Sequence, residues 1–184
     1  MSEQNRKTNY VVIGFMGSGK TTIGRRIAAL SGREFFDTDV MIEQETGVSV
    51  TEIFAAEGEE GFRRRETQLL QKLVGEGADG RVYATGGGMI LRQENRDLLH
   101  RLGEVVWLQV KPQTVIDRLS GDTTRPLLQG DDRMRKVTDL MQSRRSCYED
   151  AADFAVSVDG RRPAEIARQI LCRENQKALL ERRI

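Results

Sequence analysis

Short runs of apolar residues alternate along this chain with longer stretches in which apolar residues recur every three or four positions. Tyr10 to Ile13 is a continuous apolar run that ends at a glycine, as in a buried strand of a parallel sheet. Ile23, Ile27 and Leu30 then recur at helical spacing, and Gly32 is a typical residue to end a helix. The pattern predicts a strand, a glycine-rich loop and a helix, in that order.

The same alternation continues to the end of the chain. Ser49 followed by Glu52 has the spacing of a capping box and predicts a helix start, and Gly58 interrupts that helix. Further strands are predicted to end at 37–39 and to span 82–85, 105–110 and 154–158, with helices at 59–74, 95–102, 112–119, 137–148 and from 163 onward. Alternating strands and helices predict an α/β fold. We expect a three-layer sandwich in which helices flank a central, mainly parallel sheet of five strands.

One internal stretch lacks any periodicity. Residues 120–132 mix glycine, proline and charged side chains, which predicts an exposed, mobile loop that could act as a lid. The 184 residues suit a single domain, with its core at about 10–172. Residues 173–184 are dense in charge and either extend the last helix or fray.

Composition excludes several classes of function. With 29 Lys and Arg against 28 Asp and Glu, the net charge of +1 provides no general attraction for nucleic acid or an acidic membrane. The two cysteines, Cys147 and Cys172, have no spacing typical of zinc sites or disulfide frameworks, and the single histidine, His100, has no metal partner nearby. The polar residues 1–9 and the lack of a run of about 18 apolar residues predict a cytoplasmic protein without a membrane span.

The glycine-rich loop carries the strongest chemical signal. Gly14, Gly19, Lys20 and Thr21 satisfy the pattern GxxxxGK[ST] between a predicted strand and a predicted helix. Such a loop cradles phosphates with backbone N–H groups, while the lysine lies near the β- and γ-phosphates and the threonine hydroxyl binds Mg²⁺. The motif predicts that ATP and Mg²⁺ bind here, with nucleotide contacts from Gly17, Ser18, Gly19, Lys20, Thr21 and Thr22.

Two carboxylates and a glycine triplet follow predicted strands. On an extended segment Asp37 and Asp39 would point the same way, so one could serve the metal and the other a hydroxyl that is phosphorylated. The alternative is that Thr38 or Asp39 caps the next helix. The run Gly86 to Gly88 is explained either by close approach of a ligand to the backbone or by a flexible turn.

Among the many arginines, two are singled out by their surroundings. Glu66 lies three residues after Arg63 and could hold its guanidinium in place to grip a carboxylate. Arg125 lies in the predicted lid, where it could close over the phosphates being transferred. A basic run such as 63–65 is otherwise an ordinary solvated helix face.

The chain resembles the shikimate kinase family in five motifs that occur in the same order. They are the glycine loop, Asp37-Thr38-Asp39, the GFRxxE pattern around Arg63, the triple glycine and Arg125-Pro126-Leu127-Leu128. This family belongs to the nucleoside monophosphate kinase-like fold of P-loop proteins. The resemblance runs from Val11 to about Leu171. It implies transfer of the ATP γ-phosphate to the 3-hydroxyl of shikimate, a step of aromatic amino-acid biosynthesis.

The resemblance also implies roles for individual residues. Lys20 and Arg125 would bind the phosphates, Thr21 would bind Mg²⁺ directly, Asp37 would reach it through water, and Asp39 would bond the substrate hydroxyls. The remaining implied contacts are the substrate carboxylate (Arg63 and Arg144), the backbone wall (Gly86, Gly87 and Gly88), the apolar walls (Phe54 and Phe62) and the adenine (Arg118 and Pro163).

The chain departs from the family pattern at one place. Family members commonly have a proline two residues before the tyrosine of an Arg-x-Pro-x-Tyr motif, whereas this chain has Ser146 before Tyr148. Counting back from Tyr148 selects Arg144 over Arg145, and loss of the proline is expected to loosen this turn. The alternatives are another small-metabolite kinase of this fold, such as a gluconate or nucleoside monophosphate kinase, or a non-catalytic nucleotide-binding regulator. We expect a monomer whose partner is a small-molecule substrate.

Overall fold

A computed structural model describes residues 8–120 and 132–181 of the chain, with side chains as far as Arg173. Almost all of the predicted lid, including Arg125, lies outside these residues, as does the very end of the charged C-terminal stretch. The preceding part of that stretch continues the last helix as far as Glu181.

Within the described residues, five parallel strands form one sheet. Their order across the sheet is β2-β3-β1-β4-β5, so β1 lies in the centre. The strands are β1 (Tyr10–Gly14), β2 (Glu34–Asp37), β3 (Arg81–Ala84), β4 (Glu104–Gln109) and β5 (Phe154–Ser157). The chain leaves β1 toward β2 on one side and later crosses to β4 on the other, and ligands of open α/β sheets bind at such a reversal, beyond the strand ends.

Seven helices connect and cover these strands in the described part of the chain. They are α1 (Lys20–Ser31), α2 (Thr38–Thr46), α3 (Val50–Glu76), α4 (Gln93–Leu102), α5 (Pro112–Leu119), α6 (Arg133–Ala151) and α7 (Pro163–Glu181). The predicted α/β fold with a parallel five-stranded sheet is confirmed. A short 3-10 turn at Met89–Leu91 was not predicted.

The predicted helix boundaries have the local causes that the sequence indicated. Gly32 ends α1 with a left-handed φ of 63°, and the Ser49 and Glu52 side chains form a reciprocal capping box at the start of α3. Gly58 breaks the helical backbone inside α3 with φ 68° and ψ −175°, so α3 consists of two helical parts joined at a kink. Pro112 occupies the first turn of α5.

The core has two halves, one on each face of the sheet. In β1, Tyr10 and Val12 face one half, which also contains side chains of α1, α5 and α7, whereas Val11 and Ile13 face the other, with α3 and α4. All four are fully buried, which stabilises the fold by roughly 1.5–3 kcal/mol for each large apolar side chain. Burial on both faces anchors β1, and with it the loop that follows. In the described ranges, no helix has both the length and the apolar character needed to cross a membrane.

Candidate active site

The loop after β1 adopts a conformation that depends on glycine. Gly17 and Gly19 have φ values of 72° and 92°, which side chains rarely allow, and Gly19 precedes α1 without a side-chain cap. The Lys20 ammonium folds back over the loop and donates to the carbonyl oxygens of Gly14 and Phe15 at 2.9 and 3.2 Å. The uncapped start of α1 and the nearby ammonium create a site of positive potential suited to phosphate.

Ser18 differs from its neighbours in this loop. Its side chain is fully buried, and its Oγ has no hydrogen-bond partner within the described ranges. A Cβ added at Gly14 would lie 2.7 Å from that Oγ, so the two residues pack directly against each other. Any contact of Ser18 with a nucleotide therefore falls to its backbone.

Thr21 and Asp37 meet at the edge of the loop. The Thr21 hydroxyl donates to Asp37 Oδ2 at 2.9 Å, and Asp37 Oδ1 accepts from the backbone N–H of Asp39 at 3.2 Å. Asp37 is thus the N-cap of α2, so the alternative in which Thr38 or Asp39 caps this helix is wrong. The capped helix starts at Thr38, which places Asp39 in its first turn rather than on an extended segment.

Asp39 nevertheless points into the same cleft as Asp37. Burial, followed by repulsion from Asp37, raises the pKa of Asp39, while the cations of Lys20 and Arg63 act in the opposite direction. Asp39 Oδ1 is buried and has no hydrogen-bond partner among residues 8–120 and 132–173. An unpaired buried carboxylate oxygen is costly and is typical of an atom that receives a ligand.

Arg63 is held from two sides by carboxylates of its own helix. Its Nη1 donates to Glu66 Oε2 at 2.7 Å, and its Nη2 donates to Glu59 Oε1 at 3.0 Å. The Glu66 side chain is 0% exposed, whereas Glu59 is 62% exposed, so Glu66 is the stronger partner. Burial is the main cause that raises the pKa of Glu66 to about 7, with a smaller contribution from Asp39 and against the lowering effect of Arg63. The predicted support of Arg63 by Glu66 is confirmed.

The glycine triplet forms a wall against which these charged groups pack. A Cβ on Gly86 would lie 2.7 Å from Asp39 Oδ1 and 2.8 Å from Glu66 Oε1, and a Cβ on Gly88 would lie under 3.0 Å from the Arg63 guanidinium. None of the three glycines has a positive φ. Glycine is therefore required for space at Gly86 and Gly88 rather than for an unusual backbone conformation, which disfavours the flexible-turn interpretation.

Two hydrogen bonds from other helices fix this wall. The N–H of Gly86 donates to the buried hydroxyl of Thr38 at 3.1 Å, and the Tyr148 hydroxyl donates to the Gly87 carbonyl at 2.9 Å. Neither partner was predicted from the sequence. The only sequence signals were the position of Thr38 between two carboxylates and that of Tyr148 one turn after Arg144.

Aromatic side chains close another side of the cleft. The rings of Phe54 and Phe62 lie 4.8 Å apart, although the two residues are eight positions apart in the chain, because the kink at Gly58 brings the two parts of α3 together. The Arg63 guanidinium carbon lies 5.6 Å from the centre of the Phe62 ring. Val50, Met16 and Thr85 also line this cleft and were missed by the sequence analysis.

Helix α6 supplies a second arginine. Arg144 is half-buried and lines the cleft, while the exposed Arg145 turns away and pairs with Glu149 at 2.8 Å. The helix continues without a break from Arg133 to Ala151 through Ser146. The expected loosening of a turn is therefore wrong, because this segment is a helix interior, where a proline would remove a backbone hydrogen bond.

Most of the predicted residues that the structure describes line one cleft, whereas Ser18, Arg118 and Pro163 do not. A single cleft of about 500 Å³ is lined by Gly17, Gly19, Lys20, Thr21, Thr22, Asp37, Asp39, Phe54, Phe62, Arg63, Gly86, Gly87, Gly88 and Arg144. Arg118 lies beside it and donates to the Gly17 carbonyl at 2.8 Å, whereas Pro163 begins α7 and does not line it. Arg125 lies outside the described residues.

Comparisons with known proteins agree with one another. The family model described as shikimate kinase matches residues 16–173. The shikimate kinase of Moorella thermoacetica is 46% identical over 94% of this chain and 96% of its own length, and that of Symbiobacterium thermophilum is 44% identical over 89% and 94%.

Solved structures give the same result. Shikimate kinase from Acinetobacter baumannii, solved in complex with shikimate, superposes with a TM-score of 0.85 at 38% identity, covering 93% of this chain and 94% of that one. A gluconokinase from Sinorhizobium meliloti has a TM-score of 0.57 at 18% identity, with 93% of each chain covered, which shows a shared fold alone. Sequence and structure together show that the chain belongs to the shikimate kinase family.

Proposed function

We propose that this protein transfers the γ-phosphate of ATP to the 3-hydroxyl of shikimate, giving shikimate 3-phosphate and ADP. The observation that carries the proposal is that one cleft contains a phosphate-binding loop on one side and, on the other, the Asp39 carboxylate together with two arginines. Shikimate presents the matching groups, namely hydroxyls and a carboxylate on a carbon ring. Membership of the shikimate kinase family supports the same assignment.

On this proposal, the loop residues hold the nucleotide phosphates. Backbone N–H groups from Gly17 to Thr22 and the Lys20 ammonium bind the phosphate oxygens and neutralise charge in the transition state. Arg118 lies beside the loop and would flank the adenine with Pro163. Arg125 would contact the phosphates from the lid, which stays a prediction from the sequence.

The oxygen donors at the loop edge fit Mg²⁺. The Thr21 hydroxyl and the Asp37 carboxylate are hydrogen-bonded to each other, and hard cations of this kind prefer such oxygen ligands. We propose that Thr21 would hold Mg²⁺ directly and Asp37 through water. When bound, Mg²⁺ supplies positive charge beside the transferring phosphoryl group.

The acceptor is held and activated by the other side of the cleft. Arg63 and Arg144 would grip its carboxylate, and the rings of Phe54 and Phe62 would cover its apolar carbons. Asp39 would accept a hydrogen bond from the reacting hydroxyl and then its proton. The raised pKa of Asp39 suits this role, because a more basic carboxylate accepts a proton more readily.

The deciding experiment measures ADP release from MgATP by the purified chain. Release should increase in proportion to added shikimate, while gluconate and AMP should give background alone. Equal background with all three compounds would overturn the proposal, and a response to gluconate or AMP would favour one of the related kinases. A cytoplasmic location and a monomeric state remain predictions.

A further inference from the structure

Tyr148 packs against β4 and reaches two parts of the acceptor side of the cleft, the glycine wall and Arg144. It lies on α6, four residues after Arg144, so the two side chains share one helix face. Its ring is 3% exposed and stacks on Trp107 of β4, with centroids 5.5 Å apart and planes inclined by 5°. The stack leaves the ring little freedom, so the hydroxyl has a fixed position.

That hydroxyl is directed at the middle of the glycine wall. It donates to the Gly87 carbonyl at 2.9 Å, and the Arg144 guanidinium approaches the same oxygen at 3.5 Å. Burial raises the pKa of the Tyr148 phenol well above its usual range, so the phenol remains a donor at all physiological pH values. Tyr148 therefore fixes one carbonyl and borders the arginine that shares it.

Fixing the Gly87 carbonyl also fixes the N–H group of Gly88. The two groups belong to one planar trans peptide and point in opposite directions. Within the described ranges, the N–H groups of Gly87 and Gly88 donate no hydrogen bond, and both residues line the cleft. The N–H of Gly86 is separately held by Thr38 at 3.1 Å, so the wall is held from two helices.

The backbone of α6 does not by itself set the direction of the Arg144 side chain. Because α6 continues unbroken through Ser146, no proline kink sets the direction of Arg144. The contacts of Tyr148 with Trp107 and Gly87 lie one turn further along α6 and are suited to set the direction of Arg144.

We propose that Tyr148 is a positioning residue for the acceptor, which orients the Gly87–Gly88 peptide and Arg144 toward the anionic group of the substrate. The inference rests on the proposed function. Tyr148 touches neither nucleotide nor reacting atoms on this view, and its effect is confined to acceptor binding.

The test replaces Tyr148 with phenylalanine, which keeps the ring and its stack and removes the hydroxyl alone. Loss of one buried hydrogen bond should raise the KM for shikimate about 5- to 15-fold. The KM for ATP and the kcat should stay within about twofold, because the phosphate loop is not contacted. An unchanged KM for shikimate, or an equal rise in both KM values, would contradict the proposal.

Tyr83→Phe is the matched control. Tyr83 is also fully buried, but its hydroxyl accepts a hydrogen bond from Arg81 at the other end of the sheet. The Tyr83→Phe variant should leave the KM for shikimate unchanged. If it raised this KM as much as Tyr148→Phe does, the effect of Tyr148→Phe would be merely structural.

A double-mutant cycle tests the route of the effect. If Tyr148 acts partly through Arg144, the effects of Tyr148→Phe and Arg144→Ala on the KM for shikimate should be smaller in combination than their product. Full additivity would contradict the action through Arg144. A wild-type chain without shikimate-dependent turnover contradicts the proposed function itself, whereas an active wild type with an unaltered Tyr148→Phe contradicts this inference alone.

Discussion

The two sides of the cleft are built in different ways. The phosphate side, Gly14–Thr21, is one continuous segment that presents backbone N–H groups and a single ammonium. The acceptor side gathers Asp39, Arg63, Glu66, Gly86–Gly88 and Arg144 from α2, α3, the β3 loop and α6. The first side depends on backbone conformation, and the second on buried charges that hold one another in position.

This difference determines how each side should respond to change. A preformed backbone cradle has little net charge to neutralise and few groups that titrate near neutral pH. A cluster with a buried carboxylate, such as Glu66, depends on every partner, since removing one leaves another charge buried and unpaired. The acceptor side should therefore be the more sensitive to pH and to small changes of volume.

The largest expected effect concerns the phosphate side. Lys20→Ala should lower kcat about 100- to 1,000-fold or more, because it removes positive charge at the transferring phosphoryl group. The chain should stay folded, as judged by circular dichroism. Lys72→Ala, at an exposed lysine of α3 that pairs with Glu45, should leave turnover unchanged. Normal activity of Lys20→Ala would show that the loop takes no part in catalysis.

The second test uses the pH dependence of stability on the acceptor side. Folding raises the pKa of Glu66 from 4.5 to about 7, so its contribution to stability is present below pH 4.5 and is lost as pH rises toward and past 7. The free energy of unfolding of the wild type relative to Glu66→Gln should fall by about 3 kcal/mol over that window. Denaturant titrations of both proteins from pH 4 to 8 measure this difference. A difference that does not vary with pH would mean that folding leaves the pKa of Glu66 unchanged.

The third test addresses binding of the acceptor. Arg63→Ala should raise the KM for shikimate roughly 10- to 150-fold, since a charged hydrogen-bonded contact contributes about 1.5–3 kcal/mol. The KM for ATP should change little. Arg64→Ala, at the exposed neighbouring position, serves as the control and should behave as the wild type. If the two variants gave the same KM for shikimate, Arg63 would not belong to the site.

The smallest effect should come from the glycine wall, where neighbouring positions differ in the room they leave for a side chain. An alanine at Gly88 would displace the Arg63 guanidinium, whereas an alanine at Gly87 would meet its nearest atom at an ordinary 3.7 Å. Gly88→Ala should raise the KM for shikimate about fivefold. This corresponds to a cost of about 1 kcal/mol for displacing the Arg63 side chain from its preferred rotamer. Gly87→Ala should change it by less. Steady-state kinetics with both variants would show whether space rather than flexibility explains the triplet.

The same contrast explains how much the sequence could predict. The phosphate loop and the Arg63–Glu66 pair depend on residues close together in the chain, so their spacing alone predicted them. The hydrogen bonds between Thr38 and Gly86 and between Tyr148 and Gly87 join residues 48 and 61 positions apart, and no local pattern indicates such partners. Capping of α2 stayed an open alternative role for this segment, because Asp37, Thr38 and Asp39 are all good caps and only the structure identifies Asp37 as the cap.

The kink at Gly58 has a consequence for the size of the acceptor. In a straight α-helix, residues eight positions apart are separated by about 12 Å along the axis, so Phe54 and Phe62 would not touch. In α3 their rings lie 4.8 Å apart, and together they form one wall of the cleft. The width available to an acceptor is thus encoded partly in a main-chain torsion at one glycine, not only in the volumes of the side chains that face it.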